Sequence, residues 1–328
     1  MLTTAGKLSK QLRRKDEMCS REKISLILRH LIASGVIIIT FCNKADSQSF
    51  HKTDSIFSFR SQKGYFPSLL HNFGEQATSP LHFTTGEWVI TGAAIGITGA
   101  LFYFDNDING LARVQKQNHN WVSKSSPLIT ELGSSWGICS VVAFGALNAS
   151  FKNKKGAQTT LLATQAMITS SFWLHLVKQV TGRERPDTDY YYTGRGGGKL
   201  YGPFAQFDRN LAIEKPKASF NSFPSGHTAT AFSIATVFAS QYRDKKAIPV
   251  ISYSLATLVG ISRLTENKHW SSDVFVGALI GYVCGKQVVN HFNRTHQTAV
   301  VRSSLSARNK TELTLFQYEN QVGIFVSW

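Results

Sequence analysis

Three short segments, far apart in a chain of 328 residues, hold residue types that together can move a phosphoryl group. The first runs from Lys178 to Arg185-Pro186, the second is Pro224-Ser225-Gly226-His227, and the third holds Ser262-Arg263, then His269 and Asp273. Lys178, Arg185 and Arg263 supply the cations that a phosphate dianion requires, Arg as a planar donor fork and Lys as a point charge. Ser225 and Gly226 stand before an apolar run. If that run is a helix, its first N–H groups and its dipole face the same anion. His269 and Asp273 are four apart and share a helix face. A carboxylate accepting from one imidazole nitrogen would leave the other free to attack phosphorus. His227 would then protonate the leaving oxygen and later activate water. The cations already supply the charge, so neither a metal nor a cofactor is expected.

The elements that must position these segments are apolar runs at 88–104, 136–151, 157–177, 226–241, 247–262 and 270–290. Rich in Ala, Gly, Ser and Thr and apolar all round, they read as closely packed helices. The expected fold class is all-α, a six-helix bundle across roughly 85–292. In an up-and-down bundle the end of one helix and the start of the next lie on one side, so all three segments converge at one end. Around the bundle (87–292) the organisation reads as a signal or anchor segment at 1–45, an irregular lead-in at 46–86 and a tail at 293–328. In the tail, 312–318 and 322–328 flank a polar turn and resemble a short hairpin. The loop at 187–223 is rich in Gly and Tyr and suggests a mobile cover or a substrate wall beside the site.

Singly, each feature is bland: His227 a helix cap, His269–Asp273 a surface pair, Arg185-Pro186 a helix exit. Jointly they resemble the three-part signature of the phosphatidic acid phosphatase type 2 and vanadium haloperoxidase superfamily. Its parts are Lys, six residues, Arg-Pro; Pro-Ser-Gly-His; and Ser-Arg, five residues, His, three residues, Asp. Every position is filled here, by Lys178, Arg185 and Pro186, by Pro224 to His227, and by Ser262, Arg263, His269 and Asp273. The resemblance implies a helical bundle in which Lys178, Arg185, Ser225, Gly226 and Arg263 hold phosphate. It also implies His269 as nucleophile, Asp273 as its partner and His227 as acid and base. The implied activity is a metal-independent phosphatase acting on a phosphate monoester or pyrophosphate, soluble or lipid-borne (a polyprenyl pyrophosphate, phosphatidic acid), through a phosphohistidine. A vanadium-dependent haloperoxidase shares the cradle, and a non-catalytic phosphate-binding envelope protein would need only part of it.

Composition bounds the rest. At 42% hydrophobic and 17% charged residues the chain is a folding one, not a disordered one. The formal charge of +16 suits nucleic acid, an anionic membrane or a phosphorylated substrate. Part of it lies in residues 1–30, where eight basic residues oppose three acidic ones and read as targeting charge, so no nucleic acid partner is expected and membrane association is. Cys19, Cys42, Cys139 and Cys284 match neither a zinc nor a disulfide pattern, and the last two read as small buried packing residues. Behind the basic stretch, residues 31–42 form a short apolar run, the layout of an export signal. Basic joints at 152–155 and 243–246 would be cytoplasmic, with the site outside. Counting spans from an exported residue 43 gives the reverse. A periplasmic bundle resting on the bilayer reconciles the two; a multi-pass inner-membrane protein is the alternative.

Overall fold

A computed structural model describes residues 64–187, 197–208, 210–211, 215–308, 312–318 and 321–327. The signal or anchor segment expected at 1–45 lies outside the described residues, as do residues 188–196, 209 and 212–214 of the loop expected as a cover or wall. The described residues form eight helices: α1 (Tyr65–Thr78), α2 (Thr85–Asn118), α3 (Asn120–Glu131), α4 (Ser135–Ser150), α5 (Lys154–Thr181), α6 (Gly226–Gln241), α7 (Ala247–Thr265) and α8 (Ser271–Arg308). In the tail, β1 (Glu312–Tyr318) pairs antiparallel with β2 (Gln321–Ser327), Glu312 opposite Ser327.

Helices α2 and α4 to α8 follow the six apolar runs. Helices α1 and α3 are additional, and α1 falls in the segment expected to be irregular. The reason is an inverted pattern. Its buried side is polar, with Asn72 Nδ2 donating to Gln165 Oε1 at 3.1 Å and Gln76 Nε2 to Gln287 Oε1 at 2.9 Å. Its outer side carries Phe66 and Leu70, both exposed.

Helix α6 is the axis, packed on α5, α7 and α8. Its small residues Ala229, Ser233 and Thr236 are buried. A stripe of Gly277, Gly281 and Gly285 on α8 lets the two backbones touch: a Cβ at Gly281 would sit 2.3 Å from the Ala229 carbonyl oxygen, and one at Gly277 2.4 Å from that of Ser225. Gly281→Ala therefore forces α6 and α8 apart. The expected cost is about 1–3 kcal/mol, read as a lower unfolding midpoint of the detergent-solubilised protein. An unchanged midpoint would show that the contact has room to give.

The outside of the bundle is apolar. Trp88, Val89, Ile90 and Ile95 on α2, with Val250 on α7 and Val283 on α8, all face outward. Thr85–Asn118, Ala247–Thr265 and Ser271–Thr295 are long and apolar enough to cross a membrane, and α3 with α4 qualify as one bent span. Such a surface suits hydrocarbon rather than water, which fits association with a membrane. At 34 residues α2 is about 51 Å long, well beyond a hydrocarbon core of about 30 Å. Its first half is the apolar part. Its only buried residues are Asp105 and Asn109, both polar and both in the second half. Helix α2 is thus a lipid-facing rod whose far end reaches into the protein. Of the cysteines, Cys284 is buried as expected, whereas Cys139 faces outward with the apolar surface of α4.

Candidate active site

The three signature segments meet at one end of the bundle, each delivered by a helix terminus. Lys178 lies in the last turn of α5, which stops at Gly182. Gly182 has φ +52°, and a Cβ there would stand 2.4 Å from the Gly202 carbonyl oxygen, so glycine is required both for the left-handed turn and for the close approach. The chain leaves as an extended piece between two returning strands of loop: Glu184 N–H donates to Lys199 O, and Arg185 N–H to Ser219 O. Side chains alternate there, so Arg183 and Arg185 share one side and Glu184 takes the other. Glu184 is buried and paired with Lys215. Of the loop expected as a cover or a substrate wall, Lys199, Ser219, Asn221 and Ser222 are bonded into the segments that carry the site.

Lys178 Nζ donates to the Asn221 carbonyl at 2.8 Å. Arg263, in the last turn of α7, reaches Thr130 Oγ1 of α3 at 3.4 Å. The buried Nε atoms of Arg185 and Arg263 have no hydrogen-bond partner, so both forks hold a spare donor. Ser225 is fully buried and caps α6, its hydroxyl accepting from Thr228 Oγ1 at 2.9 Å. Its N–H is used by the Asp273 carbonyl at 2.9 Å, so the backbone donors left at this helix start are those after it, beginning with Gly226 and His227. Gly133, at the α3–α4 corner, presses on the first turn of α6: a Cβ there would lie 2.8 Å from the His227 carbonyl oxygen.

His269 sits in the turn between α7 and α8, only 2% exposed. Its Nδ1 lies 2.7 Å from the Ser222 carbonyl oxygen and 3.6 Å from Asp273 Oδ2. A carbonyl only accepts, so Nδ1 carries the proton and Nε2 of the neutral ring is bare. The tautomer expected from Asp273 is therefore set by Ser222. Asp273 is otherwise engaged: it accepts from Ser222 Oγ at 2.5 Å, from Arg183 Nη1 at 2.7 Å and from its own helix start, Trp270 N–H, at 2.9 Å. It holds the residue that holds the histidine.

Behind this stands a buried chain that the signature does not contain. Arg183 bridges Asp273 and Asp105, donating from Nη2 to Asp105 Oδ2 at 2.7 Å. Its guanidinium lies over the Phe102 ring at 4.0 Å. Asp105 also accepts from Ser271 Oγ at 2.6 Å and Ser272 N–H at 3.0 Å, capping α8 from another helix. Asn109, one turn on, donates to the His269 carbonyl at 3.1 Å. The readable signal for these residues was a charge set in or beside an apolar helix, Asp105 after 88–104 and Arg183 inside the first segment.

The electrostatics register the convergence. His269 is pushed well below the ordinary imidazole range, by burial first and then by Arg185, Lys178 and Arg263. His227 is lowered to about 4 by burial and by Arg263, with Arg185 and Lys178 adding to it and Glu131 opposing. The same three cations act on both rings, although the residues come from three segments. A consequence for stability follows. In the unfolded chain both imidazoles titrate near 6.5, so between there and their lower folded values the unfolded chain binds more protons. Stability is then full above about pH 6.5 and lost as pH falls toward 4. The unfolding midpoint is expected to drop from pH 7 to pH 5, less steeply in His227→Gln and less steeply with inorganic phosphate between the cations. A flat profile would place the rings outside the cations' field.

Residues 159–296 match the PAP2 superfamily. Among curated relatives, a lipid A 1-phosphatase from Porphyromonas gingivalis is 48% identical over 67 residues, 20% of this chain and 15% of its own. Lipid phosphate phosphatase 1 of Arabidopsis thaliana is 34% identical over 118 residues, 32% of this chain and 36% of its own. The chain thus spans about a third or less of the length of these relatives. Among solved structures, Aquifex aeolicus LpxE is similar at 25% identity and a TM-score of 0.38, covering 55% of this chain and 93% of that one. The family match takes in every signature residue placed above, and over residues 159–296 the chain is similar to the PAP2 superfamily.

Proposed function

We propose that this chain is a phosphatase that hydrolyses a lipid phosphate monoester or pyrophosphate through a phosphohistidine at His269, without a metal. The observation that carries this is the tie between the three segments: Lys178 Nζ donates to the Asn221 carbonyl, Ser225 N–H to the Asp273 carbonyl and His269 Nδ1 to the Ser222 carbonyl. A phosphate held among Lys178, Arg185 and Arg263 meets the spare Nε donors of the two arginines, the Ser225 hydroxyl and the N–H groups opening α6. Burial first and the cations second keep His227 neutral, and the phosphate's negative charge offsets the second, so substrate binding favours the proton His227 must give.

In the first step Nε2 of His269 attacks phosphorus, the bond to the leaving oxygen breaks, and His227 hands that oxygen a proton. In the second, His227 takes a proton from water, the hydroxide attacks phosphorus, and the P–N bond breaks to return His269 and release phosphate. Neither step changes an oxidation state.

A lipid substrate is supported by the surroundings. Leu132, Trp136, Val180 and Phe204 are exposed in the segments that carry or abut the site, and the matched relatives are named for lipid phosphates. The basic joints, Lys152 to Lys155 and Arg243 to Lys246, close the opposite end of the bundle. The positive-inside tendency therefore puts the site on the outer, periplasmic side. With α2, α7 and α8 apolar outside, a bundle that crosses the bilayer explains the surface better than one resting on it.

The test is phosphate release by the detergent-solubilised protein in excess chelator, from phosphatidic acid, a polyprenyl pyrophosphate and a soluble aryl phosphate. Release that survives chelator and favours a lipid supports the reading. Release only from the aryl ester would remove the lipid; none from any, by a folded protein, would remove the phosphatase.

A further inference from the structure

At the other end of α8 a second group of side chains converges. His71 and Glu75 lie four apart on α1, and His291 reaches them from α8, eighteen residues from Asp273 and thus about 27 Å away along the helix. Their ligand atoms all fall within 4.8 Å of one another. His71 Nε2 is 3.1 Å from Glu75 Oε1, and His291 Nδ1 is 3.5 Å from the same oxygen. Those are close to the separations that atoms about 2.1 Å from one tetrahedral ion would have, roughly 3.4 Å.

We propose that His71, Glu75 and His291 form a site for a divalent ion of the zinc class that ties α1 to α8. Three features favour an ion over a simple charge cluster. Glu75 Oε2 is pinned by Gln287 Nε2 at 2.6 Å, which turns Oε1 toward both histidines as an outer partner of a ligating carboxylate does. Glu75 already draws a cation from the solvent side: Arg294, 62% exposed, donates to both of its oxygens at 2.9 and 2.8 Å. An open groove along α1, lined by Pro67, Leu70, Gly74 and Thr78 with His71 and Glu75 themselves, gives the ion a path. The donor set, two imidazoles and a carboxylate with a fourth position left for water, is one that Zn²⁺ accepts. Clamping would add a charged tie where α1 otherwise meets α5 and α8 through neutral groups such as Tyr65, Asn72, Phe73 and Gln76.

The experiment strips the full-length protein with chelator and titrates it with Co²⁺, following the visible bands of low-coordinate cobalt, then displaces it with Zn²⁺. One equivalent is expected, with Zn²⁺ raising the unfolding midpoint. His71→Ala, at an exposed position that should not disturb folding, is expected to weaken binding about 100-fold or more. Arg294→Gln is expected to tighten it by removing the competitor. Equal binding by wild type and His71→Ala, or no binding by Arg294→Gln, would overturn the site. Phosphate release by His71→Ala in chelator is expected to match wild type, which separates this clamp from the catalytic reading.

Discussion

Replacing His269 by alanine is expected to lower phosphate release from every substrate by about ten-thousand-fold or more, the scale on which a lost nucleophile is felt. The ring has one exposed task. Its Nδ1 is committed to the Ser222 carbonyl, and burial with the neighbouring cations keeps it neutral, so Nε2 is bare near neutral pH. Alanine leaves the cradle of Lys178, Arg185 and Arg263 intact, so inorganic phosphate should still bind within about tenfold of wild type, as expected when a group acts chiefly in the transition state. Acid-quenched wild type should carry an acid-labile phosphoryl group on His269, absent from the variant. Residual turnover above about one per cent, or a label on another residue, would move the nucleophile elsewhere.

The second large effect is expected at Arg183, which touches no substrate in this reading. It is 3% exposed and bonded at once to Asp105, Ser272 and Asp273. Arg183→Gln leaves two carboxylates buried without their cation, and breaking such a pair costs about 3–5 kcal/mol. Arg183→Lys is the informative variant. It keeps the charge and loses the fork, so the fold should survive while Asp273 and Ser222 are held less firmly. Turnover is expected to fall about 10- to 100-fold with KM little changed, because the loss is in the aim of His269 and not in phosphate binding. A KM rise at constant turnover would instead make Arg183 part of the phosphate cradle. Wild-type turnover in Arg183→Lys would leave it a purely structural tie.

Much of this site is readable from residue spacing, for a definite reason. Lys178, Arg185, Ser225 to His227, Arg263, His269 and Asp273 all lie at ends of apolar helices, and in an up-and-down bundle the order of helices alone decides which ends meet. The roles of partners are less readable. A spacing of four suggests that Asp273 faces His269, and it does. Yet at 3.6 Å it stands outside hydrogen-bond reach, while a carbonyl 47 residues earlier takes the ring proton. No local pattern encodes that, because the choice depends on how the loop before α6 returns across α8.

The sequence by itself determined the helical runs, the end of the bundle where the signature segments meet and the residue types gathered there. Local periodicity and chain order are properties of the chain alone. The tertiary structure decided the rest. It placed Asp105 against Ser272, 167 residues away, and Arg183 against Asp105, 78 away. It turned the polar side of α1 inward, where Asn72 finds Gln165 and Gln76 finds Gln287. Buried polar atoms must find partners wherever packing brings them, and those partners are set by which helices touch, not by neighbours along the chain.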